Sequence, residues 1–213
     1  MAGRILIKRM AMAGLAAGIL VTLSGCWVLF SPVFFKDKAL ENAVRKALGR
    51  PFGLLTTWDL RKLGELQASG LGITDLSGLE YCESLTVLNL RGNAVTSITP
   101  LNNLRNLVRL DLGENKIRNI EPIAGMILLE ELILYGDENE IVDWSPLRAN
   151  VLAGGLGAGN TVVLPTKTTL DSSGNPLSNF ADTQAVLLNA GVNVIYGSPS
   201  GGTGTGTTSA SAK

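Results

Sequence analysis

Asp137, Glu138, Glu140 and Asp143 are four carboxylates within seven residues, the densest group of carboxylates in the sequence. Hard oxygens can hold Ca²⁺, but these lack the alternating Asp/Asn spacing and the closing bidentate Glu of a calcium loop. Runs of charge ordinarily face water, and the group reads as a solvated acidic bulge. Gly154-Gly155-Leu156-Gly157-Ala158-Gly159-Asn160 invites comparison with a phosphate loop. Asn160 stands where a dinucleotide fingerprint needs its third glycine, and no Gly-Lys-Ser/Thr follows. The stretch reads as a mobile loop. The sequence contains no histidine, which removes His-based acid–base catalysis and His metal sites. No enzyme signature, metal set or cofactor motif is found, so a binding or structural role is expected.

The elements that must position a binding site come from a repeat. Leu85-Thr-Val-Leu88-Asn-Leu90-Arg-Gly-Asn93 returns as Leu107-Val-Arg-Leu110-Asp-Leu112-Gly-Glu-Asn115 and, in part, as Leu129-Glu-Glu-Leu132-Ile-Leu134, a period of 22 residues. The columns continue with Val95 over Ile117, Ile98 over Ile120, Pro100 over Pro122 and Leu101 over Ile123, and a degraded earlier unit holds Leu63, Leu66, Ala68, Ile73, Leu76 and Leu79. A fixed period of this size means stacked units. Leucines two apart share one face of a short strand, and the Asn that follows can turn its amide inward to the neighbouring backbone. This is the mechanics of a leucine-rich repeat. Four repeats begin at Leu63, Leu85, Leu107 and Leu129; Pro146 then falls two residues late, with the extra residues placed in the insert around 137–140.

Residues 1–25 read as a lipoprotein-type signal: Arg4, Lys8 and Arg9, an apolar run, then Leu23-Ser24-Gly25-Cys26, with Cys26 as the lipidated first residue of the mature chain. An uncleaved membrane anchor is the alternative, because the uncharged run from Met10 to Phe35 covers 26 residues and a spanning helix needs about 20. Both readings place the repeats outside the cytoplasm, with the basic start inside. Of 18 basic residues three precede Cys26, leaving 15 against 18 acidic ones, a balance that disfavours nucleic acid. Cys82 shares a column with Leu104 and Met126 and is expected to be a buried small hydrophobe rather than a disulfide partner.

After a membrane-proximal segment (26–36), residues 37–62 predict two capping helices, the first started by Asp37 and ended by Gly49, the second started by Thr57 and Asp59. Such a cover keeps the apolar edge of the first repeat from water. Phe35-Lys-Asp37-Lys-Ala-Leu40-Glu41-Asn-Ala-Val44-Arg45, Leu55-Thr-Thr57-Trp-Asp59-Leu60 and Gly72-Ile73-Thr-Asp75-Leu76-Ser-Gly78-Leu79-Glu80-Tyr81-Cys82 resemble the N-terminal cap and first turn of bacterial internalin-like leucine-rich repeat proteins. The resemblance, covering about residues 35–196, implies an α/β solenoid with short parallel concave strands, a 3₁₀ or loop convex side, and a cap at each end. Repeats are expected over 63–152, and a repeat remnant with a C-terminal cap over 153–196. In that cap Asp171-Ser-Ser-Gly-Asn175-Pro-Leu177 resembles a last leucine-rich turn, Ser178 is the expected N-cap of a helix ending before Gly191, and Val192–Tyr196 reads as a closing strand. Residues 197–213 are rich in Gly, Ser and Thr and are expected to be disordered.

In Leu-x-x-Leu-x-Leu the residues between the leucines stand on the concave side, where equivalent positions form ladders. One ladder is Glu65, Val87, Arg109, Glu131; the next is Gln67, Asn89, Asp111, Ile133; the third is Ser69, Arg91, Gly113, Tyr135. Val87, Asn89, Arg91, Arg109, Asp111, Gly113, Glu131, Ile133 and Tyr135 form the expected partner-binding face. Gly113 should leave a hollow about 9 to 10 Å wide between Arg91 and Tyr135, from two strand spacings. The expected role is a membrane-anchored extracytoplasmic module that binds a protein partner without a cofactor, with a structural envelope lipoprotein as the alternative and an enzyme a distant third.

If Cys26 is the attachment point, Cys26→Ala should abolish incorporation of labelled fatty acid and leave the uncleaved precursor. A wild-type chain that carries no lipid and retains residues 1–25 would assign the anchor to the transmembrane alternative.

Overall fold

Strand residues with Leu at the centre and polar neighbours bury alternate side chains, and the repeat stacks those strands side by side. The structure, a computed structural model, describes residues 31–198; the signal segment with Cys26 and the tail from residue 199 onward lie outside the described residues. β1 (Glu65–Gln67), β2 (Val87–Asn89), β3 (Arg109–Asp111) and β4 (Glu131–Ile133) follow one another at the 22-residue period, and β5 (Thr161–Leu164) and β6 (Asn193–Tyr196) continue the stack. They form one parallel sheet in sequence order. Leu66, Leu88, Leu110, Leu132, Val162 and Val194 are register partners across it and are all buried.

The convex side is built differently along the stack. Short 3₁₀ segments at Leu79–Tyr81, Thr99–Leu101 and Glu121–Gly125 return the first three turns, with Pro100 and Pro122 in the opening positions of the latter two. α3 (Ser145–Leu152) and α4 (Ala181–Asn189) return the last two. Helical returns consume more residues, so the strand spacing lengthens to 30 from Glu131 to Thr161 and to 32 from Thr161 to Asn193. The late Pro146 therefore sits in the first turn of α3, where its missing N–H costs nothing.

Inward asparagines tie the turns together. The Asn93 amide oxygen accepts the N–H groups of Leu71 and Ile73 (both 3.0 Å), and its nitrogen donates to the carbonyls of Ala68 (2.8 Å) and Leu90 (2.7 Å). Asn115 accepts from Val95 (3.0 Å) and donates to Leu90 (2.9 Å) and Leu112 (3.1 Å). Asn139 repeats the pattern with Ile117 (2.9 Å), Leu112 (3.1 Å) and Leu134 (3.0 Å). It lies two residues beyond its column, so the acidic insert bulges without displacing the amide.

The first cap is docked by one carboxylate. Asp37 starts α1 (Lys38–Leu48) by accepting the N–H groups of Ala39 and Leu40, and its second oxygen accepts Thr74 N–H (2.8 Å) in the first repeat. Burial alone would raise its pKa, but the N–H donors of Thr74, Leu40 and Asp75 and the Thr74 hydroxyl hold the carboxyl below its usual value. In α2 (Thr57–Leu60), Thr56 is the N-cap and forms a capping box with Asp59, one residue earlier than the expected start. Cys82 is free and fully buried; burial, followed by the charge of Glu80, pushes its thiol up to about 12.

Three expectations for the C-terminal part change. The stretch from Gly154 to Asn160, expected to be a mobile loop, is pinned by Asn150 of α3: its nitrogen donates to Ile123 and Met126 and its oxygen accepts Leu156 N–H, all at 2.9 Å. The stretch from Asp171 to Leu177, expected to be a last leucine-rich turn, is an exposed turn closed by Asp171 that adds no strand to the sheet; the fifth strand is β5. Ser178 does not cap α4. Phe180 occupies the N-cap position without a side-chain hydrogen bond, and its ring packs edge-on against Trp144 with centroids 5.3 Å apart.

Ion pairs cross the turns at the same period, joining Arg61 to Glu83 (3.2 Å), Arg109 to Glu131 (2.6 Å), Lys116 to Glu138 (3.9 Å) and Arg118 to Glu140 (2.7 Å). All involve exposed side chains and contribute little individually. Asn115 should matter far more: Asn115→Leu leaves buried backbone groups unpaired at roughly 1 to 3 kcal/mol each. Urea unfolding that shows no loss for this variant would refute the inward amide.

Candidate functional site

Alternation along each strand turns every second side chain to the concave side. The observed register places Glu65, Val87, Arg109, Glu131, Thr161 and Asn193 in one ladder and Gln67, Asn89, Asp111, Ile133, Val163 and Ile195 in the next. The expected ladders are thus continued by two strands. Val87, Asn89, Asp111, Glu131 and Ile133 are half-exposed, Arg109 is exposed, and Arg91 lies at the edge of the surface with its side chain partly open.

Past the strand ends the expected hollow does not exist. Tyr135 lies down over Gly113, so close that a Cβ added to that glycine would meet Tyr135 Cε1 at 2.8 Å. The ring is only 3% exposed. An aromatic side chain beside a residue with no side chain gains more by covering that backbone than by standing in water. Arg91 then stacks on the ring, its guanidinium carbon 5.0 Å from the centroid.

Glu114 completes this group and was not among the residues expected. Its carboxylate accepts from Arg91 Nε (3.2 Å) and Nη2 (3.4 Å), raising the Arg91 pKa. It stands in a column otherwise made of Gly70, Gly92 and Gly136, and it shares their left-handed backbone at φ 54°, the only non-glycine to do so among the described residues. For an ordinary residue that conformation costs about 1 to 2 kcal/mol. The glycine column was visible in the sequence, and a charged residue interrupting it is the signal that could have drawn attention to Glu114.

Asn89 and Asp111 are partly committed to local structure, since Asn89 accepts Arg91 N–H (3.1 Å) and Asp111 accepts Gly113 N–H (2.9 Å). Burial raises the Asp111 carboxyl pKa, against the opposing pull of the Gly113 N–H and Arg91. The surface is therefore divided. Arg91, Arg109, Asp111, Glu114 and Glu131 make a charged half, while Ile133, Val163 and Ile195 are successive ladder partners in an apolar strip, Val163 buried between two half-exposed isoleucines. The sequence reading missed Val163 and Ile195 because the 22-residue count stops before them.

The acidic insert is matched by base rather than arranged around a cation, as the Lys116–Glu138 and Arg118–Glu140 pairs show. Among the described residues no group of His, Cys, Asp and Glu is placed to hold a metal ion.

The backbone at Glu114 can be tested directly. Glu114→Gly should melt no lower than wild type, because relief of about 1 kcal/mol of strain offsets an exposed ion pair. Glu114→Ala keeps the strain, loses the carboxylate and should melt below Glu114→Gly; the reverse order would show that the left-handed backbone at this position carries no strain that glycine relieves.

No protein-family model matches the sequence, and none of the curated proteins does. Among solved structures, the internalin InlF from Listeria monocytogenes superposes with a TM-score of 0.60 at 28% identity, over 78% of this chain and 45% of that one. Internalin C2 from the same organism gives a TM-score of 0.48 at 23% identity, over 79% of this chain and 75% of its own. The chain spans just under half the length of InlF. With its parallel ladder, inward asparagines and helical cap, the chain has the fold of an internalin-like leucine-rich repeat protein.

Proposed function

We propose that this chain is a membrane-anchored, extracytoplasmic module that binds a protein partner on the concave face of its solenoid. The observation that carries the reading is the juxtaposition of the Ile133–Val163–Ile195 strip with the Tyr135–Arg91–Glu114 stack. An apolar strip beside an arginine held on an aromatic ring combines the two features that dominate interface energetics. Nothing in the packing of the leucine core requires either. Five strand spacings of about 4.8 Å give a surface about 24 Å long, which suits a loop or short segment of a partner rather than a whole domain.

The anchor is supported by the signal segment and Cys26, which lie outside the described residues. Among the described residues no helix is long and apolar enough to cross a membrane.

Tyr135 is unsuited to a clean binding test, because removing its buried ring would also cost stability. Arg91→Ala and Ile133→Asp change side chains that reach the surface. Each should weaken capture of the native partner from extracytoplasmic extract by about 30-fold, equivalent to about 2 kcal/mol, with thermal melts close to wild type. Undiminished capture by both variants would remove the concave face from consideration.

A further inference from the structure

The outer surface of the N-terminal cap exposes a cluster of large apolar side chains. Residues 31–33 pair antiparallel with 55–57 through the Pro32–Thr56 bridge, the Val33 N–H to Leu55 carbonyl bond (2.8 Å) and the Thr57 N–H to Ser31 carbonyl bond (3.0 Å). Val33 and Leu55 turn inward and are buried. In the same register Phe34 comes opposite Leu54 on the other face, and these are 75% and 61% exposed. Phe52, two residues before Leu54, is 85% exposed, and Trp58 on α2 is 45% exposed. Single exposed hydrophobes are ordinary; four within one short cap are not.

Charge separates in the same way. Residues 36–62 hold seven basic and three acidic side chains, a net of +4, whereas residues 63–213 hold eight basic and fifteen acidic, a net of −7. Lys62 places its ammonium 5.3 Å from the Trp58 ring centroid. Tryptophan with neighbouring Lys and Arg beside exposed Phe and Leu is the composition of a surface that lies in a headgroup layer. The tether is short as well: Ser31 is five residue steps from Cys26, and an extended chain spans at most about 3.3 to 3.6 Å per step. The cap is thus held within about 18 Å of the anchor point, from that extended-chain limit.

We propose that the Phe34, Phe52, Leu54 and Trp58 face of the cap is a second membrane contact, seated on an anionic lipid bilayer. The proposal rests on the anchored reading above. The anchor supplies proximity, the apolar residues enter the headgroup boundary, and the cationic cap meets the lipid phosphates while the acidic repeats are repelled from them. The solenoid is then fixed with β1 nearest the membrane.

The test uses the full chain carrying Trp27→Phe, which leaves Trp58 and the fully buried Trp144 as its fluorophores. It is reconstituted into vesicles of phosphatidylglycerol and phosphatidylcholine with brominated acyl chains. Emission should fall by about a third, through Trp58 at interfacial depth, and much less in vesicles of phosphatidylcholine alone. The drop should disappear in Trp58→Phe and be largely lost in the Phe34→Ser, Leu54→Ser double variant, whose substitutions fall on exposed side chains. A chain that floats with the vesicles but shows no quenching overturns the cap contact and leaves the anchor standing. Quenching unchanged in the double variant also overturns it, because the tether alone would then account for proximity. A chain that does not float overturns the anchor and this proposal together.

Discussion

Stacking turns of backbone 22 residues apart leaves peptide groups facing the interior of the coil, and each must find a partner there or the coil cannot close. Asn93, Asn115 and Asn139 supply those partners from fully or nearly fully buried positions. An amide is suited to this because it donates and accepts at once, joining carbonyls of two neighbouring turns to an N–H on the far side. The leucine columns provide the driving force for burial, but leucine cannot satisfy a backbone group. The inward amides fix the distance between turns, and with it the alignment of everything on the concave face.

That dependence explains what the sequence disclosed. Leu85, Leu107, Asn93 and Asn115 repeat because their environments repeat, and the first four strands and their ladders could be read from spacing alone. Legibility failed where a return changed from 3₁₀ to α-helix: Thr161 to Leu164 is a strand of the same sheet, displaced from the count by α3. It failed again where a side chain chose between two directions. Tyr135 occupies a concave position by register, yet whether it stands or lies depends on the space over Gly113, and no periodicity encodes that preference. Glu114 could be seen in a glycine column, but its bond to Arg91 depends on a backbone angle.

The concave surface follows from these local decisions. Tyr135 covers the backbone that Gly113 leaves bare, Arg91 stacks on the ring, and Glu114 accepts a strained conformation that brings its carboxylate to Arg91. The arginine is held between ring and carboxylate, so little side-chain freedom remains to be lost when a partner arrives. Further along the same concave face the isoleucines of β4 and β6 need no such arrangement, because their β-branched stems are already restricted.

The ion pairs between turns have a direction. In Arg61–Glu83, Arg91–Glu114, Arg109–Glu131, Lys116–Glu138 and Arg118–Glu140 the base belongs to the earlier turn and the acid to the later one. The unit that begins at Leu107 thus presents acid to the turn before it through Glu114 and base to the turn after it through Arg109, Lys116 and Arg118. In the last three pairs base and acid occupy the same column, so duplication of that whole 22-residue unit would set Arg109, Lys116 and Arg118 against copies of themselves instead of against Glu131, Glu138 and Glu140. A coil with this polarity could lengthen its concave face by about 4.8 Å per added unit only if the charges at each new seam were changed as well.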